Sequence, residues 1–173
     1  MASAPHTLQA VNAMTVAEFV AVFGNIAEHA PWVADRAAAD RPFASRDAMV
    51  GSFRSAIDNA DRSAQHALLC AHPDLAGKAA IAGDLTKASK SEQAGAGLDR
   101  LTPDEFDRFT DFNRRYRERF GFPFILAVKG ADKATILEAF GARIDNAVET
   151  EFQTALLQVG RIVRFRLEDN VAP

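Results

Sequence analysis

The sequence predicts an all-α fold, a single-domain multi-helix bundle over residues 1–173 with one short extended or irregular buried segment at about 121–129. Two observations support this class. Capping boxes at TVAE (15–18) and TPDE (102–105) precede apolar residues at helical spacing. The one run that could be a strand by composition, FGFPFILAVKG (120–130), has no second convincing strand to pair with.

The first half of the chain is expected to form three helices after a flexible tail at residues 1–13. Each has a side chain that can cap its first turn and an apolar stripe behind it. The three are predicted to run from Thr15 to a stop at Pro31, from Ser45 past Ile57, and from Asp61 to His72. The last ends there because the ring of Pro73 disfavours helical geometry in the residue before it.

The second half begins with a small, polar, glycine-rich segment, residues 73–100, which predicts short helices and turns packed on larger elements. Three long helices are expected beyond it. They are predicted to begin at Thr102, Asp132 and about Glu149, and Gly121 is expected to close the first.

Composition and charge exclude several classes of function. The net charge is −3 with both signs interspersed, which favours neither a nucleic-acid nor a membrane partner. We expect a soluble, cytoplasmic protein because there is no signal-like start and no run long enough to span a membrane. Cys70 is the only cysteine, so no intrachain disulfide can form, and we expect it to be a small buried residue. The spacing of histidines and carboxylates predicts no metal site.

Several polar residues stand where a function could use them, and spacing alone leaves their roles open. Arg143 and Arg166 interrupt apolar stripes, so each must extend to solvent or meet a carboxylate from the protein or a ligand. His72 is either a structural helix end or a proton-transfer group. Ser89 and Glu92 are either the start of a capped, solvated helix or part of a site.

Four motifs in this order resemble one family, the 2-oxo-4-hydroxy-4-carboxy-5-ureidoimidazoline (OHCU) decarboxylases. They are AHPDLAGKAA, SEQAGAGLD, RFGFPFILAVKG and RIVRFRL, and the resemblance extends from about Thr15 to Leu167. It implies an all-α fold, a homodimer, and a carboxy-lyase of urate breakdown that forms (S)-allantoin and CO2 without metal or organic cofactor. The family's eukaryotic members are peroxisomal, but this chain ends in NVAP rather than an SKL-type signal.

The resemblance also implies roles for particular residues. His72 and Glu92 match the catalytic positions. The substrate-binding positions implied are Pro73, Ser89, Lys90, Ser91, Glu92, Gln93, Phe124, Ile125, Leu126, Ala127, Val128 and Arg166. The alternative function is a non-catalytic helical module that senses or binds allantoin-like ureido compounds.

These residue types suit that reaction. The electrons left by CO2 can enter the conjugated ring of the substrate, so no cofactor is needed as an electron sink. A histidine can transfer a proton near neutral pH, and a helix C-terminus favours its protonated form. We expect Glu92 to orient His72 or bind a substrate hydroxyl or N–H, and Ser89 and Gln93 to bind the ureido and ring groups. We expect unpaired amides of 124–128 to act like an oxyanion hole, and Arg166 to bind and orient an anionic group.

Overall fold

The computed structural model describes residues 5–77 and 85–173 of the chain. Over those residues it contains helices and no β-strand, the nearest approach being an isolated bridge between His6 and Val171. The predicted all-α class is therefore confirmed. The helices are α1 (Leu8–Ala13), α2 (Val16–Phe23), α3 (Pro31–Ala38), α4 (Arg46–Asp58), α5 (Arg62–Ala71), α6 (Lys87–Gly95), α7 (Pro103–Phe120), α8 (Lys133–Arg143) and α9 (Val148–Asn170).

The chain divides into two compact units. The terminal unit consists of Met1–Ala71 and Val159–Pro173, and the central unit consists of His72–Gln158. Each is described separately below, and the single-domain organisation stays a prediction. No helix in the described ranges has both the length and the apolar character that crossing a membrane requires.

The terminal unit keeps the predicted helix starts but divides its first helix differently. The Thr15 side chain accepts from the amide of Glu18, and the Glu18 carboxylate accepts from the amide of Thr15, which completes a capping box. However, α2 ends at Phe23, and Pro31 is the first residue of α3 rather than the end of a long helix. Proline is compatible with the first position of a helix, because the amide of that residue has no partner within the helix.

The first thirteen residues differ from the predicted tail wherever the structure describes them. Residues 8–13 form α1, capped by Thr7, and Val11 is fully buried. The prediction of a flexible segment is therefore wrong for these residues, since burying Val11 stabilises the helix. Residues 1–4 lie outside the described residues.

The predicted burial of Cys70 on α5 also needs correction. Cys70 is exposed, with its Sγ 3.7 Å from Nδ1 of His66, one turn earlier. Leu68 and Leu69 are the buried pair, together with Gln65. The prediction of a buried Cys70 is wrong because the buried stripe runs through Leu69 instead.

The central unit follows the sequence closely. Thr102 and Glu105 form the second capping box, and Gly121 closes α7 in the left-handed region at φ 77°. Asp132 caps α8 by accepting from the amide of Thr135 at 2.8 Å. Between these helices, residues 123–128 have no regular secondary structure and are mostly buried, as predicted for 121–129.

Aromatic side chains form the core around this irregular segment. The Phe124 ring stacks on Phe140 with centroids 3.7 Å apart, and Tyr116 meets Phe124 edge to face at 5.2 Å. Such pairs add about 0.5–1.5 kcal/mol beyond the burial of their area. The segment is thus fixed in an apolar core even though it lacks the hydrogen bonds of a helix or sheet.

Candidate active site

The candidate site begins where α5 ends. Helix α5 stops at Ala71, and His72 follows with only 5% of its surface exposed. The residue before a proline is restricted to extended geometry, so Pro73 fixes the direction in which the chain leaves the helix. His72 is therefore buried at a turn, where an ordinary helix-end histidine would be solvated.

The turn after His72, residues 73–77, is held by α6. The amide of Ala76 donates to Oε1 of Gln93 at 2.9 Å, and Nε2 of Gln93 donates to the carbonyl of Asp74 at 3.3 Å. Ala76 is held in the left-handed region at φ 53°, which costs a residue with a Cβ about 1 kcal/mol. The two bonds from the buried Gln93 amide offset that strain.

Helix α7 holds the same turn from another side. Nδ2 of Asn113 donates to the carbonyl of Leu75 at 2.8 Å, and Nε of Arg117 donates to Oδ1 of Asp74 at 2.8 Å. Asn113 is 7% exposed, and its Oδ1 is buried with no hydrogen-bond partner in the described part of the chain. The backbone after His72 is therefore held at three successive residues.

Helix α6 presents the residues of the SKSEQ motif unequally. Ser89 and Gln93 are buried and Glu92 is half-buried, while Lys90 and Ser91 are exposed. This follows from helical geometry, because positions three and four apart share a face. The helix begins at Lys87 with Thr86 as its cap, so the alternative of a solvated capping box starting at Ser89 is wrong.

The segment Phe124–Val128 is fixed at two backbone groups. Nη1 of Arg143 donates to the carbonyl of Ile125 at 2.9 Å, and the amide of Ala127 donates to Oε1 of Gln158 at 3.1 Å. The expectation that the amides of this segment are unpaired is therefore wrong for Ala127.

A buried carboxylate orients Arg143. Glu151 is fully buried and accepts from Nε of Arg143 at 2.9 Å, from the Tyr116 hydroxyl, and from Nδ2 of Asn146 at 2.8 Å. Burial and the Glu151 carboxylate raise the pKa of Tyr116 well above its ordinary value of 10, so this hydroxyl keeps its proton. Arg143 therefore meets a carboxylate of the protein, one of the options that its position left open.

Arg166 lies in the terminal unit and also meets a carboxylate of the protein. Nη1 of Arg166 lies 2.7 Å from Oε2 of Glu28 and 3.2 Å from the carbonyl of Ile26. Arg166 is 5% and Glu28 is 1% exposed. Glu28 is held at φ 28° and His29 at φ 51°, a conformation that side chains with a Cβ rarely adopt. The alternative of an arginine extended to solvent is wrong for Arg166.

The structure thus brings together part of the predicted site. The turn after His72 and the helix that carries Ser89 and Glu92 are joined through Gln93, and segment 124–128 belongs to the same central unit. Sequence reasoning missed Asn113, Glu151 and Gln158. Asn113 had a readable signal, since it occupies a position of the apolar α7 stripe between Phe109 and Tyr116.

A cavity of about 550 Å³ lies beside Gln93 in the central unit. Its described lining includes Ala76, Lys90, Gln93 and Phe106 and is mostly apolar. Lys90 and Gln93 are also among the substrate-binding positions that the family resemblance implies. No group of three or more His, Cys, Asp or Glu side chains among the described residues is arranged to hold a metal ion.

Comparison with known proteins decides the family. A family model described as OHCU decarboxylase matches residues 12–168. This chain belongs to the OHCU decarboxylase family.

Two relatives illustrate this membership. The 2-oxo-4-hydroxy-4-carboxy-5-ureidoimidazoline decarboxylase of Haloferax volcanii is 44% identical over 163 residues, which cover 94% of this chain and 95% of the relative. The protein of the same name from Mus musculus is 43% identical over 159 residues, covering 92% and 89%.

A solved structure extends the likeness to three dimensions. The crystal structure of an (S)-allantoin synthase superposes with a TM-score of 0.79 at 31% sequence identity and covers 97% of this chain. This chain spans about half of that longer one, 54% of its length. The all-α arrangement of this OHCU decarboxylase family member thus has an experimental counterpart.

Proposed function

We propose that this chain catalyses the decarboxylation of OHCU to (S)-allantoin and CO2 in urate catabolism. Two observations support the proposal: membership of the OHCU decarboxylase family over nearly the whole chain, and a buried His72 whose following turn is held by α6 and α7. The second observation carries the chemistry, because a proton-transfer group must be fixed relative to its substrate.

The substrate itself supplies the electron sink. It has a carboxylate on the ring carbon that also bears a hydroxyl, and the neighbouring ring carbon is part of a C=N bond. When the bond to the carboxylate breaks, its electron pair forms a C=C bond between the two ring carbons, and the C=N pair moves to nitrogen. The ring nitrogen takes up a proton to become an N–H. The hydroxyl then loses its proton to become a carbonyl, while the neighbouring carbon gains a proton and becomes the stereocentre of allantoin, so that the reaction consumes one proton overall.

The proposed roles follow from those proton movements. His72 delivers the proton to one face of the ring carbon, which sets the handedness of the product. Glu92, half-buried on the same helix face as Ser89 and Gln93, orients His72 or accepts from the substrate hydroxyl. Amides of Phe124–Val128 other than that of Ala127 stabilise the developing negative charge.

The remaining contacts are proposed for binding and orientation. Pro73, Ser89 and Gln93 contact the ring and ureido groups, with Gln93 also holding the turn. Lys90 and Ser91 are exposed on α6 and contact the substrate less closely. Arg166 binds an anionic group, and Glu28 balances its charge within the terminal unit. Tight binding of the carboxylate before it leaves would stabilise the ground state as well, so we assign Arg166 no role in the chemical step.

The finer assignments belong to the same proposal. The enzyme is a carbon–carbon lyase that acts as a homodimer in the cytoplasm. The dimer rests on the resemblance to the family, and light scattering of the purified protein tests it. The location rests on the sequence prediction, and fractionation of the source cells tests it.

Substrate generated in place provides the test. Uricase oxidises urate, and a hydrolase then acts on the oxidised product to give the substrate. The circular dichroism of (S)-allantoin is followed with and without this protein. We expect the protein to accelerate the signal and give one enantiomer. A rate no higher than that of the uncatalysed control, with racemic product, would refute the proposal. Ligand binding without CO2 release would favour the non-catalytic module.

A further inference from the structure

We propose that Arg143 is a positioning residue for this reaction, fixing the backbone around Leu126 through a bond to the Ile125 carbonyl. The inference rests on the proposed function, which uses amides of Phe124–Val128 to stabilise developing charge. It assigns to Arg143 a role that does not require contact with the substrate.

The arrangement starts from a fixed carboxylate. Glu151 is fully buried on α9 and accepts hydrogen bonds from Arg143, Tyr116 and Asn146. Donors from three side chains converge on its two oxygens, so its position in the core is set. Nε and Nη2 of Arg143 both donate to Oε1 of this carboxylate.

The planar guanidinium transmits that position to the backbone. With Nε and Nη2 committed to Glu151, the plane and direction of the group are determined, and Nη1 donates to the carbonyl of Ile125 at 2.9 Å. The Arg143 guanidinium also lies over the Phe124 ring, 4.4 Å from its centroid. Two consecutive residues of the segment are therefore held by one side chain.

A second contact completes the restraint. The amide of Ala127 donates to Oε1 of Gln158 at 3.1 Å. In a trans peptide, a carbonyl and the following N–H point in opposite directions. Fixing the Ile125 carbonyl therefore aims the Leu126 N–H away from Arg143, and fixing the Ala127 amide aims the Leu126 carbonyl away from Gln158.

The contacts of Arg143 favour a positioning role over direct binding of the substrate. The Arg143 side chain is 11% exposed and engaged by Glu151, the Ile125 carbonyl and the Phe124 ring. It is poorly placed to take a substrate carboxylate as well. Its effect on the reaction runs through the direction of the Leu126 N–H, and a donor aimed at developing charge acts on the chemical step more than on substrate affinity.

Arg143→Lys and Tyr116→Phe form a matched pair for the test. Both variants remove donors from Glu151, but only Arg143→Lys removes the planar link to the Ile125 carbonyl. We expect both to lower the Tm. In the assay with substrate generated in place, Arg143→Lys should lower kcat by about tenfold or more, change KM much less, and reduce the enantiomeric excess of (S)-allantoin. Tyr116→Phe should keep kcat within about twofold.

Folded Arg143→Lys protein with the kcat and enantiomeric excess of the wild type would overturn the inference, as would equal losses of kcat in both variants. If Arg143→Lys does not fold, Gln158→Leu releases the other end of the same stretch. It should lower kcat in the same way, and unchanged kcat there would also refute the inference. Failure of the wild type itself to accelerate the reaction would instead refute the proposed function.

Discussion

At the scale of single residues, Gln93 connects the turn after His72 to α6. Gln93 is 5% exposed, and its side-chain amide bonds to the backbone at Asp74 and Ala76. A residue that the sequence offers as a substrate contact therefore also has a structural task. That task could not be read from the SKSEQ motif, because the turn it holds lies 17 residues or more earlier in the chain.

Gln93→Met removes both bonds while keeping the length of the side chain. We expect the free energy of unfolding to fall by about 1–3 kcal/mol, because a backbone donor and acceptor lose their buried partner. We also expect faster hydrogen exchange at the Ala76 amide and a lower kcat/KM. Lys87→Ala, at an exposed position of the same helix, is the control, and equal effects of the two substitutions would show that the bonds of Gln93 do not matter.

The two arginines in apolar stripes show what the sequence could and could not predict. Spacing alone indicated that Arg143 and Arg166 had to meet a carboxylate or extend to solvent. It could not identify the carboxylates, because Glu28 lies 138 residues from Arg166 and reaches it only through the fold. The position of an arginine in an apolar stripe predicts that its charge needs a partner. Only the tertiary structure shows which carboxylate provides it.

At the scale of elements, helix starts were the most predictable feature. Thr15, Ser45, Thr102 and Asp132 each cap the helix predicted to follow them. Prediction failed where two signals compete, as at Pro31, which is compatible with both a helix end and a helix start. It failed at Ser89 because Thr86, three residues earlier, caps the helix instead.

The capping box of α7 makes a prediction about pH. The Glu105 carboxylate accepts from Lys133 at 2.7 Å and from the amide of Thr102 at 2.9 Å, and these bonds lower its pKa from the ordinary value of 4.5. A lowered pKa stabilises the fold above pH 4.5, and that contribution is lost as the pH falls through the folded-state pKa.

We therefore expect Glu105→Gln to have a lower Tm than the wild type at pH 7, and the difference to shrink as the pH falls below 4.5 and the carboxylate takes up a proton. Thermal unfolding followed by circular dichroism across this range measures it. Asp107→Asn, which removes an exposed carboxylate from the same helix, controls for net charge. A Tm difference that stays constant from pH 7 to pH 3 would contradict the explanation.

At the scale of the whole molecule, each compact unit contains an arginine–glutamate pair whose glutamate is buried. Arg166 pairs with Glu28 in the terminal unit, and Arg143 pairs with Glu151 in the central unit. Removing one member of such a pair leaves a buried charge without its partner, whereas replacing both members by apolar residues is often neutral.

Glu28→Gln should therefore lower the free energy of unfolding by about 3–5 kcal/mol. The double variant Glu28→Gln/Arg166→Met should recover much of that loss, since no buried cation remains. Urea unfolding of the wild type, both single variants and the double variant gives the coupling between the two sites. Additive losses would show that the pair contributes nothing as a pair.

The role proposed for His72 is to deliver the proton that determines the handedness of allantoin. The most direct test compares the wild type with His72→Asn in the assay that generates the substrate in place, with matched far-ultraviolet circular dichroism and Tm to show that both are folded. We expect an excess of (S)-allantoin from the wild type, and from His72→Asn a near-racemic product formed at close to the uncatalysed rate. An undiminished rate and (S) excess from folded His72→Asn would contradict it and leave Glu92 as the candidate for proton transfer.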